Sequence, residues 1–158
     1  MDSLENLLSF IREAERLKTV TRTAWAHDGR RESTAEHSWR LALFAGLAAG
    51  QLPGLNGGKV LLMSLIHDMG ELYGGDISAA LCPDPQEKAK EERQAVRRAF
   101  SLLPEAQAAS LLALWEEYNA TPEARLVKAL DKAETILQHN QGRNPQDFDY
   151  RFNLDYGK

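Results

Sequence analysis

Apolar positions recur at helical spacing along most of the 158-residue chain, and strand-like alternation is nearly absent. Leu4, Leu7, Leu8 and Ile11 mark one face of a first helix ending near Leu17, and the irregular stretch KTVTRTAWAHDGRR follows. Next comes STAEHSWRLALFAGLAAG, which opens on Ser33 and Glu36 at capping-box spacing and closes on Gly50. QLPGLNGG carries turn chemistry, and a third helix is predicted from about Lys59 to about Tyr73, stopping at Gly74-Gly75. Beyond Pro83 and Pro85, QEKAKEERQAVRRAFSLL predicts a long, charged helix that Pro104 ends. EAQAASLLALWEEYN gives another, and Thr121-Pro122 caps a last one through EARLVKALDKAETILQ. The pattern predicts an all-α, single-domain bundle of about six helices over residues 1–141, with a polar and aromatic tail at 142–158 that shows no period.

Several polar residues interrupt this scheme where burial is expected. The apolar run VLLMSLI leads straight into LIHDMGELYGGD, so His67 and Asp68 sit where dehydration is costly unless something compensates. On a continuous helix His67 and Glu71 are four apart and Asp68 and Glu71 three apart, so the three lie near one another. His67 and Asp68 would point about 100° apart, both still within reach of one ion held against the helix. Asp76 follows the glycine break and can turn back toward it. His37 falls in the first turns of the second helix, and Asp131 lies on the margin of the last helix's apolar face. Singly, each suits an ordinary role: a hydrogen-bonded core histidine, or a salt-bridged aspartate beside Lys128 or Lys132. Together, two histidines and two aspartates from three helices would satisfy one another through a divalent cation. His27 and His139 lack such a setting and read as surface or loop residues.

Composition narrows the field further. A net charge of −4 argues against general nucleic-acid binding. Arg16, Lys18, Arg22, Arg30 and Arg31 nevertheless cluster within residues 16–31 against the single acid Asp28, which suits a small anionic ligand. No apolar run is long enough to cross a bilayer. The opening MDSLENLLSF lacks the basic start of a secretory signal, and the single cysteine, Cys82, leaves no intrachain disulfide. A cytoplasmic protein is expected.

The ordered set His37, His67-Asp68 and Asp131 on an all-α chain resembles the HD superfamily of metal-dependent phosphohydrolases. RESTAEHSWR, LIHDMGELYGGD and LVKALDKAE are similar to the segments of the HD-domain 5'-deoxynucleotidases, from about Leu17 to about Gln138. The resemblance implies an HD-type helical bundle in which His37, His67, Asp68 and Asp131 ligate one divalent transition metal ion. Their mixed nitrogen and oxygen donors suit Mn, Co, Fe, Ni or Zn without choosing among them. It implies Glu71 as the acid that orients or deprotonates the attacking water, and Asp76 as an acid near the sugar 3'-hydroxyl. Arg22 matches the arginine placed beside the substrate, with Lys18, Arg30 and Arg31 as further phosphate partners. The next residue, where some members carry a tryptophan near the sugar 2' position, is Thr23, and the nearest tryptophan is Trp25.

The expected activity is phosphate release from (deoxy)nucleoside 5'-monophosphates by a homodimer acting on a small-molecule substrate. One alternative keeps the chemistry and changes the nucleotide to a cyclic, triphosphate or guanosine polyphosphate form. Another makes the metal structural in a helical binding module, although structural zinc sites are generally closed and sulfur-rich. A third is a helical interaction protein without metal.

Overall fold

The computed structural model describes residues 3–77, 84–117 and 120–156. Helix α1 (Ser3–Ala14) runs into a 3-10 turn (Glu15–Lys18) and then into a short antiparallel hairpin, β1 (Thr21–Trp25) and β2 (Arg31–Ser33). The hairpin is the one departure from all-helical architecture among the described residues. It arises where VTRTAW supplies β-branched and aromatic residues and Gly29 takes the left-handed conformation at φ 89° that the tight connection requires. Helix α2 (Thr34–Ala49) follows at once, and both halves of the expected capping box form between Ser33 and Glu36. Such a cap contributes about 1 kcal/mol. Here it also fixes where the first turn of α2 begins, and therefore where His37 stands.

Helix α3 (Gly57–Ile66), started by the Asn56 side chain on the Lys59 amide, is shorter than the sequence pattern predicts. Asp68 leaves helical geometry (φ −97°, ψ 13°), and the chain continues as a 3-10 turn over Met69–Glu71. His67 and Asp68 therefore occupy a helix end rather than adjacent steps of one regular helix. Gly70 in that turn lies against α4 (Pro85–Phe100), where an added Cβ would come within 2.6 Å of the Glu92 Cβ. Helices α5 (Glu105–Glu116) and α6 (Pro122–Gln141) complete the bundle, and α6 is started by Thr121 as expected.

Two apolar clusters hold these elements. One joins Phe10, Leu17, Ile66, Met69, Leu72, Val96, Ala99, Phe100 and Leu103; the other joins Leu41, Ala45, Ala49, Val60, Met63, Ala124 and Val127. Truncating a ring such as Phe100, 1% exposed, would cost about 3–5 kcal/mol. The α3 end belongs to both clusters, through Ile66 and Met63. Helix α1 contributes only Phe10 to the core; Leu4, Leu7, Leu8 and Ile11, the face predicted to pack, remain solvent-exposed.

The tail folds back onto the molecule. The Arg143 amide donates to the Ala26 carbonyl at 3.1 Å, and the Gln138 side chain donates to the Trp25 carbonyl at 2.6 Å. Gly142 permits this contact, since a Cβ there would sit 2.1 Å from the Trp25 carbonyl oxygen. A final short helix, α7 (Phe152–Asp155), ends the described chain. No described helix is long and apolar enough to cross a membrane.

Candidate active site

The first turn of α2, the end of α3 and the middle of α6 bring His37, His67, Asp68 and Asp131 together. His37 Nε2 lies 2.9 Å from Asp131 Oδ1 and 3.8 Å from Asp68 Oδ2. His67 Nε2 lies 3.0 Å from Asp68 Oδ2 and 3.8 Å from Asp131 Oδ1. Neighbouring ligands held ~2.1 Å from one ion stand ~3 Å apart, so these separations match a common centre. His37, His67 and Asp131 offer ligand atoms close enough together to hold one ion, and Asp68 joins them from the His67 side.

The other ring nitrogens are already committed. His37 Nδ1 meets Glu134 Oε2 at 2.5 Å, and His67 Nδ1 meets the Ser64 carbonyl at 2.7 Å. Each contact calls for a proton on Nδ1, which leaves Nε2 with its lone pair facing the aspartates. Both Nε2 atoms are buried and make no hydrogen bond, although they face Asp131 Oδ1 at 2.9 Å and Asp68 Oδ2 at 3.0 Å. Two such nitrogens would be expensive without an ion between them and the carboxylates. The donor set thus fits a divalent cation.

Electrostatics show the same need. Burial alone would lower the pKa of both imidazoles, but the neighbouring carboxylates, Asp131 and Glu134 beside His37 and Asp68 and Asp131 beside His67, raise them, His67 strongly. Burial would raise the carboxylates, yet the imidazoles bring Asp68 down to about 2 and Asp131 lower still. Protons on the rings stand in for positive charge that a cation would supply. A second acidic layer, Glu32 and Glu134, lies behind His37. Glu134 is 1% exposed and bridges His37 Nδ1 to Arg40, whose Nε donates to it at 2.5 Å. The Glu134 carboxylate is thus engaged on both oxygens, by His37 and by Arg40.

Glu71 sits beside this set, buried, and accepts a hydrogen bond from Thr34 Oγ1 at 3.1 Å. Burial, then the charges of Asp68 and Asp76, push its carboxyl up to about 9. Arg22 on β1 is held by Thr135 Oγ1 at 3.0 Å, Asp68 Oδ2 at 3.4 Å and Glu32 Oε2 at 3.5 Å. Glu71, Asp76, Arg22 and Trp25 all line a cleft of about 1240 Å³ that opens from His67, Asp68 and Asp131.

The basic cluster read from the sequence does not converge there. Lys18 is exposed and outside the cleft lining. Arg30 is committed to Glu36 at the start of α2, and Arg31 reaches back to the Arg22 carbonyl and over the Trp25 ring. Neither arginine is among the residues that line the cleft. In the other direction, His139, expected at the surface, is buried and lines the cleft, with Nδ1 2.7 Å from Asn153 Oδ1. Thr34, Thr135 and Glu134 were not legible as site residues; the available signal was that 134 and 135 follow Asp131 by one helical turn.

Comparison with known proteins agrees with this architecture. The family model described as HD domain matches residues 14–158. The 5'-deoxynucleotidase HDDC2 of Bos taurus is 37% identical over 140 residues, covering 86% of this chain and 67% of that protein. The Homo sapiens protein of the same name is 37% identical over 140 residues, with 86% and 68% covered. A crystal structure described as a predicted metal-dependent phosphohydrolase from Magnetospirillum magnetotacticum MS-1 superposes with a TM-score of 0.77 at 41% identity, covering 86% of this chain and 70% of that one. With an HD-domain family model matching residues 14–158 and a relative 37% identical over 140 aligned residues, this chain belongs to the HD-domain family.

Proposed function

We propose that the chain is a phosphoric monoester hydrolase that releases phosphate from (deoxy)nucleoside 5'-monophosphates, with His37, His67, Asp68 and Asp131 holding one divalent transition metal ion. The observation that carries this reading is the pair of buried, unpartnered Nε2 atoms facing Asp68 and Asp131, with Glu71 alongside in an open cleft. The 5'-deoxynucleotidase activity in the names of the relatives supports the choice of substrate.

A divalent cation bound there supplies Lewis-acid polarisation of a phosphoryl oxygen, and its charge favours the ionised carboxylate at Glu71. Glu71, held in place by Thr34, takes the proton of the attacking water. Arg22 neutralises phosphate charge, and its planar fork, anchored by Thr135 and Glu32, is oriented before the substrate arrives. Asp76, placed after the left-handed Gly75, lines the same cleft and bonds the sugar. Phosphoryl transfer depends mainly on positioning and charge stabilisation, which this set provides.

The test is a phosphate-release assay over mono-, tri- and cyclic nucleotides after metal reconstitution. Monophosphates should be the preferred substrates, and Glu71→Gln should bind metal while losing ~10²-fold or more in rate. Full activity in that variant would remove Glu71 from the chemistry, and preference for a triphosphate or cyclic nucleotide would redirect the substrate assignment.

The assembly we infer is a homodimer. Trp39, Leu43 and Leu47 form an exposed stripe along α2 at four-residue spacing, an apolar face of the kind that mediates association. Sedimentation equilibrium should return the mass of two chains; a single-chain mass would contradict it. The single cysteine fits a cytoplasmic setting, which localisation of the tagged protein would check.

A further inference from the structure

The cleft has a wall that the hydrolytic machinery does not use. Trp25 from β1, His139 from α6 and Phe148, Phe152 and Tyr156 from the tail all line it. They form one connected series of rings. Trp25 meets Phe148 edge-on at 5.8 Å between centroids, Phe148 meets His139 at 5.0 Å, and His139 meets Phe152 at 6.1 Å. Phe152 then stacks on Tyr156 at 4.7 Å with an interplanar angle of 30°. Tyr156 ends the series in the same cleft lining as Thr135, Asp131 and Asp68. The tail is pinned as well as packed, since Asn144 Nδ2 donates to the His139 carbonyl at 2.6 Å and to the Tyr150 hydroxyl at 2.8 Å.

An aromatic series that starts at the ligands of a phosphate-handling centre and leads outward along a cleft is arranged for a flat ring attached to that phosphate. Tyr156 is at the phosphate and sugar end. Phe152 stands one helical turn before it, ~5.4 Å along the axis, in the same cleft lining. Half-buried rings already packed against one another keep little entropy to lose on stacking, and stacking tolerates any base because every base has a π-face.

We propose that the C-terminal segment is the nucleobase wall of the cleft, with Phe152 stacking on the base and Tyr156 flanking the sugar. This rests on the nucleotide reading above. It predicts an enzyme with broad base tolerance and a strong dependence on having a base at all.

The experiment compares a deoxynucleoside 5'-monophosphate with 2-deoxyribose 5-phosphate, which keeps the sugar and the ester and lacks the ring. In Phe152→Ala, kcat/KM for the nucleotide should fall ~10-fold or more, mostly through KM, on the scale of one lost base stack. The same variant should treat 2-deoxyribose 5-phosphate as the wild type does, with unchanged metal content and melting temperature. Phe152→Trp should restore the nucleotide KM and so control for a merely loosened tail. Equal losses on both substrates, no loss, or a gain in activity from an unplugged cleft would each overturn the proposal. Nucleotide hydrolysis by the wild type that ignores Phe152 defeats this inference alone; a wild type inactive on nucleotides defeats the reading beneath it.

Discussion

At the inner end of the cleft, every ligand candidate stands on a helix or at a helix end, and each imidazole is fixed by a contact on its far nitrogen. At the outer end, the lining rings come from a hairpin strand, a helix and a tail with a single short helix of its own. The inner end is held by charge and hydrogen bonds, in which an error of a few tenths of an ångström is expensive. The outer end is held by ring contacts, which are tolerant of small shifts. The contrast teaches that chemistry and substrate fit are separable here: one region can be altered while the other is read.

The largest effect should come from Asp68→Ala, which removes a ligand candidate and a partner of Arg22 together. Metal content by elemental analysis should drop well below that of the wild type, and phosphate release with it; unchanged metal would remove Asp68 from the ligand set. Glu134→Gln should act more mildly. It keeps the shape but weakens the contact that orients His37, so metal affinity should fall ~10–100-fold in a chelator competition. Unaltered affinity would make Glu134 a structural partner of Arg40 only.

Gly142→Ala probes the other region, because the added Cβ would collide with the Trp25 carbonyl and force the tail away from β1. Overpacking of this kind costs ~1–3 kcal/mol. The nucleotide KM should rise while the metal-to-protein ratio stays at its wild-type value. Loss of metal in that variant would show that the two ends are not independent.

The smallest effect concerns the cap that starts α2. The hydrogen bond from Arg30, then that from Ser33, holds the Glu36 carboxyl down at about 2, against 4.5 for an unperturbed group. A depressed native pKa adds stability above the unfolded value, and that stability fades as pH falls from 4.5 toward 2. Glu36→Gln should therefore lower the melting temperature slightly at neutral pH and leave it unchanged near pH 2, so that the acid limb of the profile flattens. An identical acid limb would show that the pair is fully solvated in its effect.

Much of the inner region was legible because it lies on regular elements. Ser33 and Glu36 announce the start of α2, and the run before His67 announces α3, so three of the four ligand candidates are placed by helix grammar. Asp131 follows from the apolar face of α6. The helix break at Asp68 was not legible, since nothing in the local sequence demands it; packing of Gly70 against Glu92 on α4 accompanies it. Charge counts carry no direction: Arg30 turns to Glu36 and Arg31 to the Arg22 carbonyl, and of the cluster Arg22 lines the cleft. The tail was opaque for a related reason. Phe148, Phe152 and Tyr156 are four apart, but only Phe152 lies within a helix and α7 spans a single turn, so periodicity had too little length to show.

The central claim is that His37 Nε2, His67 Nε2, Asp68 Oδ2 and Asp131 Oδ1 share one ion and leave room for a reactant. Anomalous diffraction from a crystal of the protein reconstituted with Mn²⁺ or Co²⁺ tests this directly. The account predicts a single strong peak per chain, ~2.0–2.2 Å from those four atoms, on the floor of the cleft. No peak there, or one whose neighbours exclude the two imidazoles, would contradict it.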